Sequence, residues 1–345
     1  MSFALALALA LVLVGSVTVY FPAGGFDFVE LDDYSLIVDN PYVNSGLTRE
    51  GIHWAFTFQE KAGPHTSEGV TNVWAPLTFL SHALDIELWG MNPKAHHLTN
   101  LVIHLVNTCL AFGFFFLLSR RVLIAMLVAA VFCFHPMRVE SVAWISERKD
   151  VLSGIFIFVC LILYYLWASR KIRESGRRGS GWVYWGALLA FTAGCLAKPT
   201  TVVLPGLLVL LDVWPLRRIE LTAGWSSALT IMTRQAKEKW PFLLVVAGVS
   251  GVSIYLQYAG SHGDFMASIG FTRRMIEMPA LVLYYLERTL LPFELFPNYP
   301  RYPHAFLLYS VSAVAVLATI SVSVWRYRKI CPALAFGWVW FLLCL

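Results

Sequence analysis

The chain has 345 residues, of which 58% are hydrophobic and only 14% are charged, and its formal net charge is +5. Soluble globular domains carry about 25% charged residues, so this composition excludes a soluble protein and predicts a polytopic membrane protein. The net charge does not indicate a nucleic-acid partner, because the basic residues are spread among short segments between apolar runs.

The apolar runs are continuous and do not alternate with polar residues, which favours an all-α transmembrane helical bundle over a β-barrel. The six cysteines lie in or beside these runs, with neither the pattern of a disulfide framework nor metal-ligand spacing. About nine stretches are predicted to cross the membrane: residues 3–21, 98–118, 122–134, 151–168, 182–197, 200–214, 240–258, 306–324 and 332–345. The first lacks a basic n-region, so we predict a retained helix and not a cleaved signal peptide.

Lys and Arg residues in short loops predict which side of the membrane each loop faces. The densest basic loop, residues 170–178, is therefore placed in the cytoplasm, and alternation assigns the other loops. Most acidic residues and all nine histidines then fall on the outer side or in the outer half of a span. Residues 271–291 are apolar enough to cross, but we predict an interfacial helix within an outer segment, 257–304. A crossing there would place Arg326, Arg328 and Lys329 outside.

The first outer loop, residues 22–97, begins just after the first apolar run and contains the adjacent acids Asp32 and Asp33. Carboxylates held beside a membrane face can act on a substrate whose reactive end lies at that face. The alternative is that Asp32 caps a short helix and Asp33 is solvated. Three tryptophans spaced among apolar residues predict short helices lying in the membrane interface of this loop.

Five motifs resemble those of the transmembrane and tetratricopeptide-repeat O-mannosyltransferases, in particular their bacterial relatives, within the wider GT-C glycosyltransferases. In chain order they read LDDYSLIVDNPYV, NVWAPLTFLSHALDIELWG, HHLTNLVIHLVNT, HPMRVESVAWISERKDVLSG and LAKPTTVVLPGLLVLLDVWPLRR. The resemblance covers about residues 26–302. Ala75 stands where the family pattern has arginine, which removes one expected cation. The repeats are missing, so residues 1–345 are interpreted as a GT-C-like transmembrane domain truncated at its C-terminus.

The resemblance implies an inverting glycosyltransferase that uses a polyprenyl-phosphate sugar, mannose or a similar hexose. The acceptor would be a protein Ser/Thr hydroxyl on the non-cytoplasmic face. A sugar leaving from phosphate needs little protonation, so one general base is enough, whereas glycoside hydrolysis usually uses two carboxyl groups. The family implies that an aspartate at the start of the first outer loop is this base. Asp32 is favoured, with Asp33 as a positioning residue or second candidate.

Cations at the outer face would hold the lipid phosphate. Lys198, between two apolar spans, is the first candidate, because an unpaired ammonium there is costly; its alternative role is to snorkel to the interface. Arg148 and Lys149 are further candidates, and their alternative role is to pair with Glu147 and Asp150. The spacing of histidines and acids specifies no metal site, so no cofactor is required, although a divalent cation is compatible with the reaction.

A substrate cleft is predicted from the remaining polar residues near the outer face. His97, Asn100, His104 and Asn107 form one polar stripe on a helix, which should face the bundle interior. With His96 they would line the acceptor cleft, and the alternative is hydrogen bonding between helices. Glu140 would orient the sugar or a cation, or pair with Arg138. His135 starts the same outer segment and completes the predicted cleft.

Other functions weighed are transfer to a glycolipid or cell-envelope acceptor, a non-catalytic membrane-anchored repeat scaffold, and a transporter. A transporter usually has short loops and charges near the membrane midplane, whereas here the charges lie at the outer ends of spans. A scaffold leaves Asp32, Asp33 and Lys198 without a role. The predicted location is the bacterial inner membrane, with the active site facing the periplasm or exterior.

Overall fold

The computed structural model describes residues 3–57, 74–173, 181–219, 225–259, 271–293, 295–296 and 306–345, and these residues form helices and connections without a strand. The chain divides into two compact units. The first contains residues 1–204 and 238–261, and the second contains residues 205–237 and 262–345. The single domain predicted for residues 1–345 stays a prediction.

Within the described residues, the first unit contains nine complete helices and the C-terminal part of a longer helix, residues 238–259. They are α1 (Phe3–Tyr20), α2 (Pro41–Asn44), α3 (Arg49–Phe56), α4 (Pro76–Trp89), α5 (Pro93–Ser119), α6 (Val122–Phe134), α7 (Arg138–Ala143), α8 (Arg148–Arg173) and α9 (Gly181–Ala197). A 3₁₀ turn follows α1 at Phe21–Gly25, a π turn covers Tyr34–Val38, and a second 3₁₀ turn covers Pro199–Val203. Helix α8 packs along α9, and α5 packs against both α6 and α8.

The first outer loop folds into short helices whose ends are set by local residues. Asn40 caps α2 by accepting a hydrogen bond from the Tyr42 backbone N–H, and Thr48 caps α3 in the same way through the N–H of Gly51. Helix α4 begins at Pro76, a favoured first position. These helices share one apolar core: Ile37, Val43, Trp54, Ala55, Ala75, Phe79 and Ile145. The prediction of short helices in this loop is confirmed for its described part; residues 58–73 lie outside it.

The nine apolar stretches predicted from the sequence all become helical. Among the described residues, five helices are long and apolar enough to cross a membrane: Ala6–Gly25, Pro93–Ser119, Arg148–Arg173, Gln235–Leu256 and Tyr309–Tyr327. Four further apolar helices are shorter: Val122–Phe134, Gly181–Ala197, Pro199–Val213 and Pro332–Leu343. The chain is therefore an all-helical membrane protein, and nine as the number of spans stays a prediction.

Two long helices begin earlier than the predicted spans. Helix α5 starts at Pro93, because Asn92 caps it by accepting from the Lys94 backbone N–H. Helix α8 starts at Arg148. The polar residues before both apolar runs therefore lie inside helices, and the helical backbone fixes the direction in which each side chain points. The outer segment between the predicted spans 122–134 and 151–168 contains α7 and the first turn of α8.

The second unit contains α10 (Leu204–Val213), the first part of α11 (Trp225–Ala259), α12 (Phe271–Leu290), α13 (Phe306–Tyr327) and α14 (Pro332–Leu343). Helix α12 packs against α13, and α13 packs against α14. Helix α12 carries charged residues at both ends and is not among the helices apolar enough to cross, in agreement with the predicted interfacial helix. Most of the remainder of segment 257–304 lies outside the described residues.

Candidate functional site

The adjacent acids of the first outer loop have different environments. Asp33 is fully buried, and its two carboxylate oxygens accept hydrogen bonds from the backbone N–H groups of Val29, at 3.0 Å, and Ser146, at 2.9 Å. Asp32 is exposed, and within the described part of the chain its carboxylate has no hydrogen-bond partner. Asp33 thus ties the first outer loop to the turn before α8 and leaves Asp32 facing outward.

We expect Asp33→Asn to destabilise the fold more than it affects chemistry. The amide keeps one acceptor oxygen, so one of the two buried backbone N–H groups loses its partner at a cost of about 1–3 kcal/mol. The measurement is the free energy of unfolding of the detergent-solubilised protein, with Asp39→Asn as control, because Asp39 is an exposed acid of the same loop. Equal stability of the two variants would contradict the tethering role.

The turn that receives Asp33 is held from the other side by Asn100 of α5. The Asn100 amide donates to the carbonyls of Trp144, at 3.2 Å, and Ile145, at 3.4 Å. Its carbonyl oxygen accepts from Nε of Arg148 at 2.7 Å. Asn100 is fully buried, so these bonds fix the path of residues 144–148.

Arg148 is fully buried, and each of its three side-chain nitrogens contacts another group of the protein. Besides Asn100, its Nη1 donates to the carbonyl of Ser81 at 3.0 Å and its Nη2 donates to the carbonyl of His96 at 2.9 Å. Nη2 also lies 2.6 Å from Oδ2 of Asp85, which is itself buried. Arg148 was predicted as a phosphate ligand; its contacts favour instead a role in joining α4, α5 and α8.

Two histidines surround this ion pair. Nδ1 of His96 lies 3.3 Å from Oδ2 of Asp85 and 3.1 Å from Nδ1 of His82. Burial holds the pKa of His82 well below its usual value, and the nearby Arg148 guanidinium lowers that pKa further. Both effects favour the neutral form of the His82 imidazole beside the Arg148 guanidinium.

The ligand atoms of His82, Asp85 and His96 lie within 4.8 Å of one another, a spacing that a metal ion accepts. However, Nη2 of Arg148 lies 3.5 Å from Nδ1 of His96 as well as beside Asp85. A divalent ion would share one buried carboxylate with a guanidinium, and the repulsion is strong in a buried site. These donors therefore do not fit a metal as they stand, and we assign none to them.

Lys198 lies where α9 ends and the 3₁₀ turn begins. Its ammonium forms an ion pair with Asp150 in the first turn of α8, and the side chains are 28% and 26% exposed. The other oxygen of Asp150 accepts from Oγ of Ser141 at 3.1 Å. Thr78 at the start of α4 donates to the carbonyl of Ala197 at 2.9 Å. Lys198 is thus a half-buried cation that solvent or a ligand can reach.

Glu140 and Lys149 belong to the same electrostatic cluster. Lys149 pairs with Glu147 at 2.7 Å. The Glu140 side chain is exposed, yet partial burial of its carboxyl raises its pKa, the charges of Glu147 and Asp150 raise it further, and Lys198 and Lys149 lower it. The Glu140 carboxyl therefore interacts electrostatically with both Lys149 and Lys198.

The other predicted cleft residues have the following positions. His97 is buried and its ring lies 6.4 Å from that of Phe26. His104 is buried between α1 and α6, where its Nε2 lies 3.2 Å from the carbonyl of Cys133 and its ring lies 5.3 Å from that of Tyr20. His135 accepts from the Met137 backbone N–H at 3.3 Å. The contacts of His104 are those of helix packing, the alternative role considered for the stripe.

Sequence reasoning missed Asp85, His82 and Ser81, which complete the Arg148 cluster. Residues 81, 82 and 85 recur at helical spacing in the mostly apolar segment PLTFLSHALDIELW. A polar stripe of this kind on a mostly apolar helix indicates a buried polar contact. Ser81 takes part through its backbone carbonyl, so the stripe could have identified only His82 and Asp85. It does not indicate which residue elsewhere in the chain is the partner.

The chain is similar to several curated proteins over part of its length. It is 31% identical to "Protein O-mannosyl-transferase TMTC1" of Mus musculus over 135 residues, which are 39% of this chain and 14% of the mouse protein. It is 31% identical to "Protein O-mannosyl-transferase Tmtc2" of Drosophila melanogaster over 188 residues, 53% of this chain and 19% of that protein. It is 28% identical to TMTC3 of Homo sapiens over 154 residues, 44% of this chain and 16% of the human protein.

This chain thus spans less than a fifth of the length of these curated relatives. No protein-family model matches the chain, and no solved structure matches it. The resemblance read from the sequence motifs is confirmed as a relation to the TMTC O-mannosyltransferases. The relatives named above are from animals, and the bacterial inner membrane stays a prediction.

Proposed function

We propose that this chain, a relative of the TMTC protein O-mannosyl-transferases, is the membrane part of a glycosyltransferase of GT-C type. It moves mannose or a similar hexose from a polyprenyl phosphate to a Ser/Thr hydroxyl of a protein on the non-cytoplasmic face. The observation that carries the proposal is the contrast between the two adjacent acids. Asp33 is buried and bound by two backbone N–H groups, while its neighbour Asp32 is exposed.

In the proposed reaction Asp32 is the general base. Its carboxylate takes the proton of the acceptor hydroxyl while the hydroxyl oxygen forms a bond to the anomeric carbon. The bond from that carbon to the phosphate oxygen breaks, and its electron pair leaves with the polyprenyl phosphate. Attack from the face opposite the phosphate inverts the anomeric centre, and a single base is enough because the phosphate leaves as a stable anion.

Lys198 is the proposed ligand of the donor phosphate. Its side chain is 28% exposed although it pairs with Asp150, whereas the Arg148 guanidinium is enclosed by protein groups and the Lys149 side chain, paired with Glu147, is only 16% exposed. A phosphate binds an ammonium through a charge-assisted hydrogen bond. Arg148 then acts as a positioning residue, because it fixes the turn on which Asp33 is bound. Glu140, His96, His97 and the other cleft residues remain predicted contacts of sugar or acceptor.

The proposal is tested by transfer of radiolabelled mannose from polyprenyl-phosphate-mannose to a Ser/Thr-rich peptide by the purified chain in lipid nanodiscs. We expect label on the peptide and release of polyprenyl phosphate. The same experiment with total membrane lipid as acceptor separates the two acceptor classes. Label on lipid alone would reject a protein acceptor, and no transfer to either would reject the enzyme.

Lys198→Ala is expected to weaken donor binding by about 10- to 100-fold, because a hydrogen bond to a charged group contributes roughly 1.5–3 kcal/mol. Turnover should fall as well. The measurement is the dissociation constant of polyprenyl-phosphate-mannose, with Lys94→Ala as control for loss of an exposed positive charge on α5. A donor affinity equal to that of the control would remove Lys198 from the phosphate site.

A further inference from the structure

Asp150 contacts the proposed phosphate ligand more closely than any other acid in the described part of the chain. One of its oxygens pairs with the ammonium of Lys198, and the other accepts from Oγ of Ser141 at 3.1 Å. Any anion that binds Lys198 must therefore approach the Asp150 carboxylate, which a hydrogen bond from Ser141 of α7 holds in place. From the sequence, Asp150 is expected only to form an ion pair with Arg148 or Lys149.

The ends of two helices favour this ion pair when no donor is bound. Asp150 lies in the first turn of α8, where the helix dipole favours an acid, and Lys198 lies at the end of α9, where it favours a cation. Both side chains keep about a quarter of their surface exposed. The pair is thus stable yet open, so that a phosphate can reach the ammonium without unfolding either helix.

The charges around the pair are balanced. Three carboxylates interact here, and they belong to Glu140, Glu147 and Asp150. Three cations face them: Lys149 and Lys198, which lower the pKa of Glu140, and Arg138, which interacts with Asp150. Among these six described residues the negative and positive charges are equal in number. A sugar phosphodiester brings one negative charge into this cluster, and a sugar diphosphate brings two.

We propose that Asp150 determines the specificity of the Lys198 site for the charge of the lipid donor, by disfavouring a diphosphate more strongly than a monophosphate. The inference rests on the proposed function, since it takes Lys198 as the phosphate ligand. The physical reason is that repulsion from one fixed carboxylate grows in proportion to the charge of the ligand. Specificity then comes from a repulsive element as well as from an attractive one.

The other two acids are weaker candidates for this role. Glu147 is already neutralised by Lys149 at 2.7 Å, and Glu140 is exposed, where water screens its charge. Asp150 is the acid in direct contact with Lys198, and Ser141 keeps its carboxylate from turning away. Removing the charge of Asp150 should therefore change the electrostatic potential at Lys198 more than removing the charge of Glu140 or Glu147.

The test compares dissociation constants of polyprenyl-phosphate-mannose and polyprenyl-diphosphate-mannose, with the same polyprenyl chain, for the full chain in nanodiscs. In Asp150→Asn we expect the preference for the monophosphate to fall by roughly three- to tenfold, as for one charge removed from a half-exposed site. Asp150→Glu keeps the charge and should retain the original preference. Ser141→Ala removes a hydrogen bond without changing charge and should change the preference less than Asp150→Asn. Glu50→Gln is the control for an exposed carboxylate on α3.

The outcomes separate the alternatives. A gain in diphosphate affinity that exceeds the gain in monophosphate affinity supports the inference. Equal weakening of the binding of both lipids in Asp150→Asn would show that Asp150 only positions Lys198. Unchanged affinities would show that Asp150 does not face the donor. Either result overturns the inference and does not contradict the proposed function. Failure of the unsubstituted chain to bind either lipid would overturn the proposed function itself.

Discussion

Asp32→Asn is expected to lower the rate of sugar transfer by roughly 10²–10⁴-fold, the usual effect of losing a general base. The amide keeps the shape of the side chain and one acceptor oxygen, but it cannot take a proton from the attacking hydroxyl. Since Asp32 is exposed and Asp33 provides the buried contacts, the substitution should leave folding and donor binding largely unchanged. The decrease should therefore be in the turnover number.

The measurement is transfer of radiolabelled mannose at saturating donor, together with the dissociation constant of the donor and the temperature of unfolding. Glu30→Gln serves as the matched control, because Glu30 is an exposed acid two residues earlier in the same loop. Normal transfer by Asp32→Asn would assign the base to Asp33. Normal transfer by both single variants and by the double variant would favour a non-catalytic scaffold.

Arg148→Ala should destabilise the protein by about 3–5 kcal/mol, the usual cost of removing one partner of a buried ion pair. The substitution leaves Asp85 charged and buried, and it also removes the donors to the carbonyls of Ser81 and His96. Asp85→Ala leaves the Arg148 guanidinium without its counter-ion and should have a similar effect.

A double-mutant cycle tests this coupling. The combined variant Arg148→Met with Asp85→Leu leaves no unpaired buried charge, so its loss of stability should be smaller than the sum of the losses of the single variants Arg148→Met and Asp85→Leu. Unfolding of the detergent-solubilised protein provides the free energies, and Lys149→Ala is the control for a more open pair in the same helix turn. A strictly additive double variant would mean that the two side chains do not interact as the structure indicates.

The sequence by itself determined the features that depend on local patterns. Continuous apolar runs predict membrane helices because backbone groups in lipid must bond within their own segment. Three tryptophans spaced among apolar residues predict the short helices of the first outer loop. Asn40, Thr48 and Pro76 set where these helices begin, since caps and first-turn prolines act on their own helix. The five sequence motifs, including the one around Asp32 and Asp33, predict a relation to the O-mannosyltransferases, and the similarity to the TMTC proteins confirms that relation.

Only the tertiary structure decided what each charged residue contacts. The sequence places Asp32 and Asp33 side by side in one loop, but only the fold shows that Asp33 is buried, where it accepts from the backbone N–H of Ser146, 113 residues away. Arg148, Lys149 and Asp150 are consecutive, but in the first turn of a helix they point in different directions, so that one is enclosed by α4 and α5 and another meets Lys198. A buried charge needs a partner of opposite charge close to it. That partner is chosen by packing between distant segments, which no local pattern specifies.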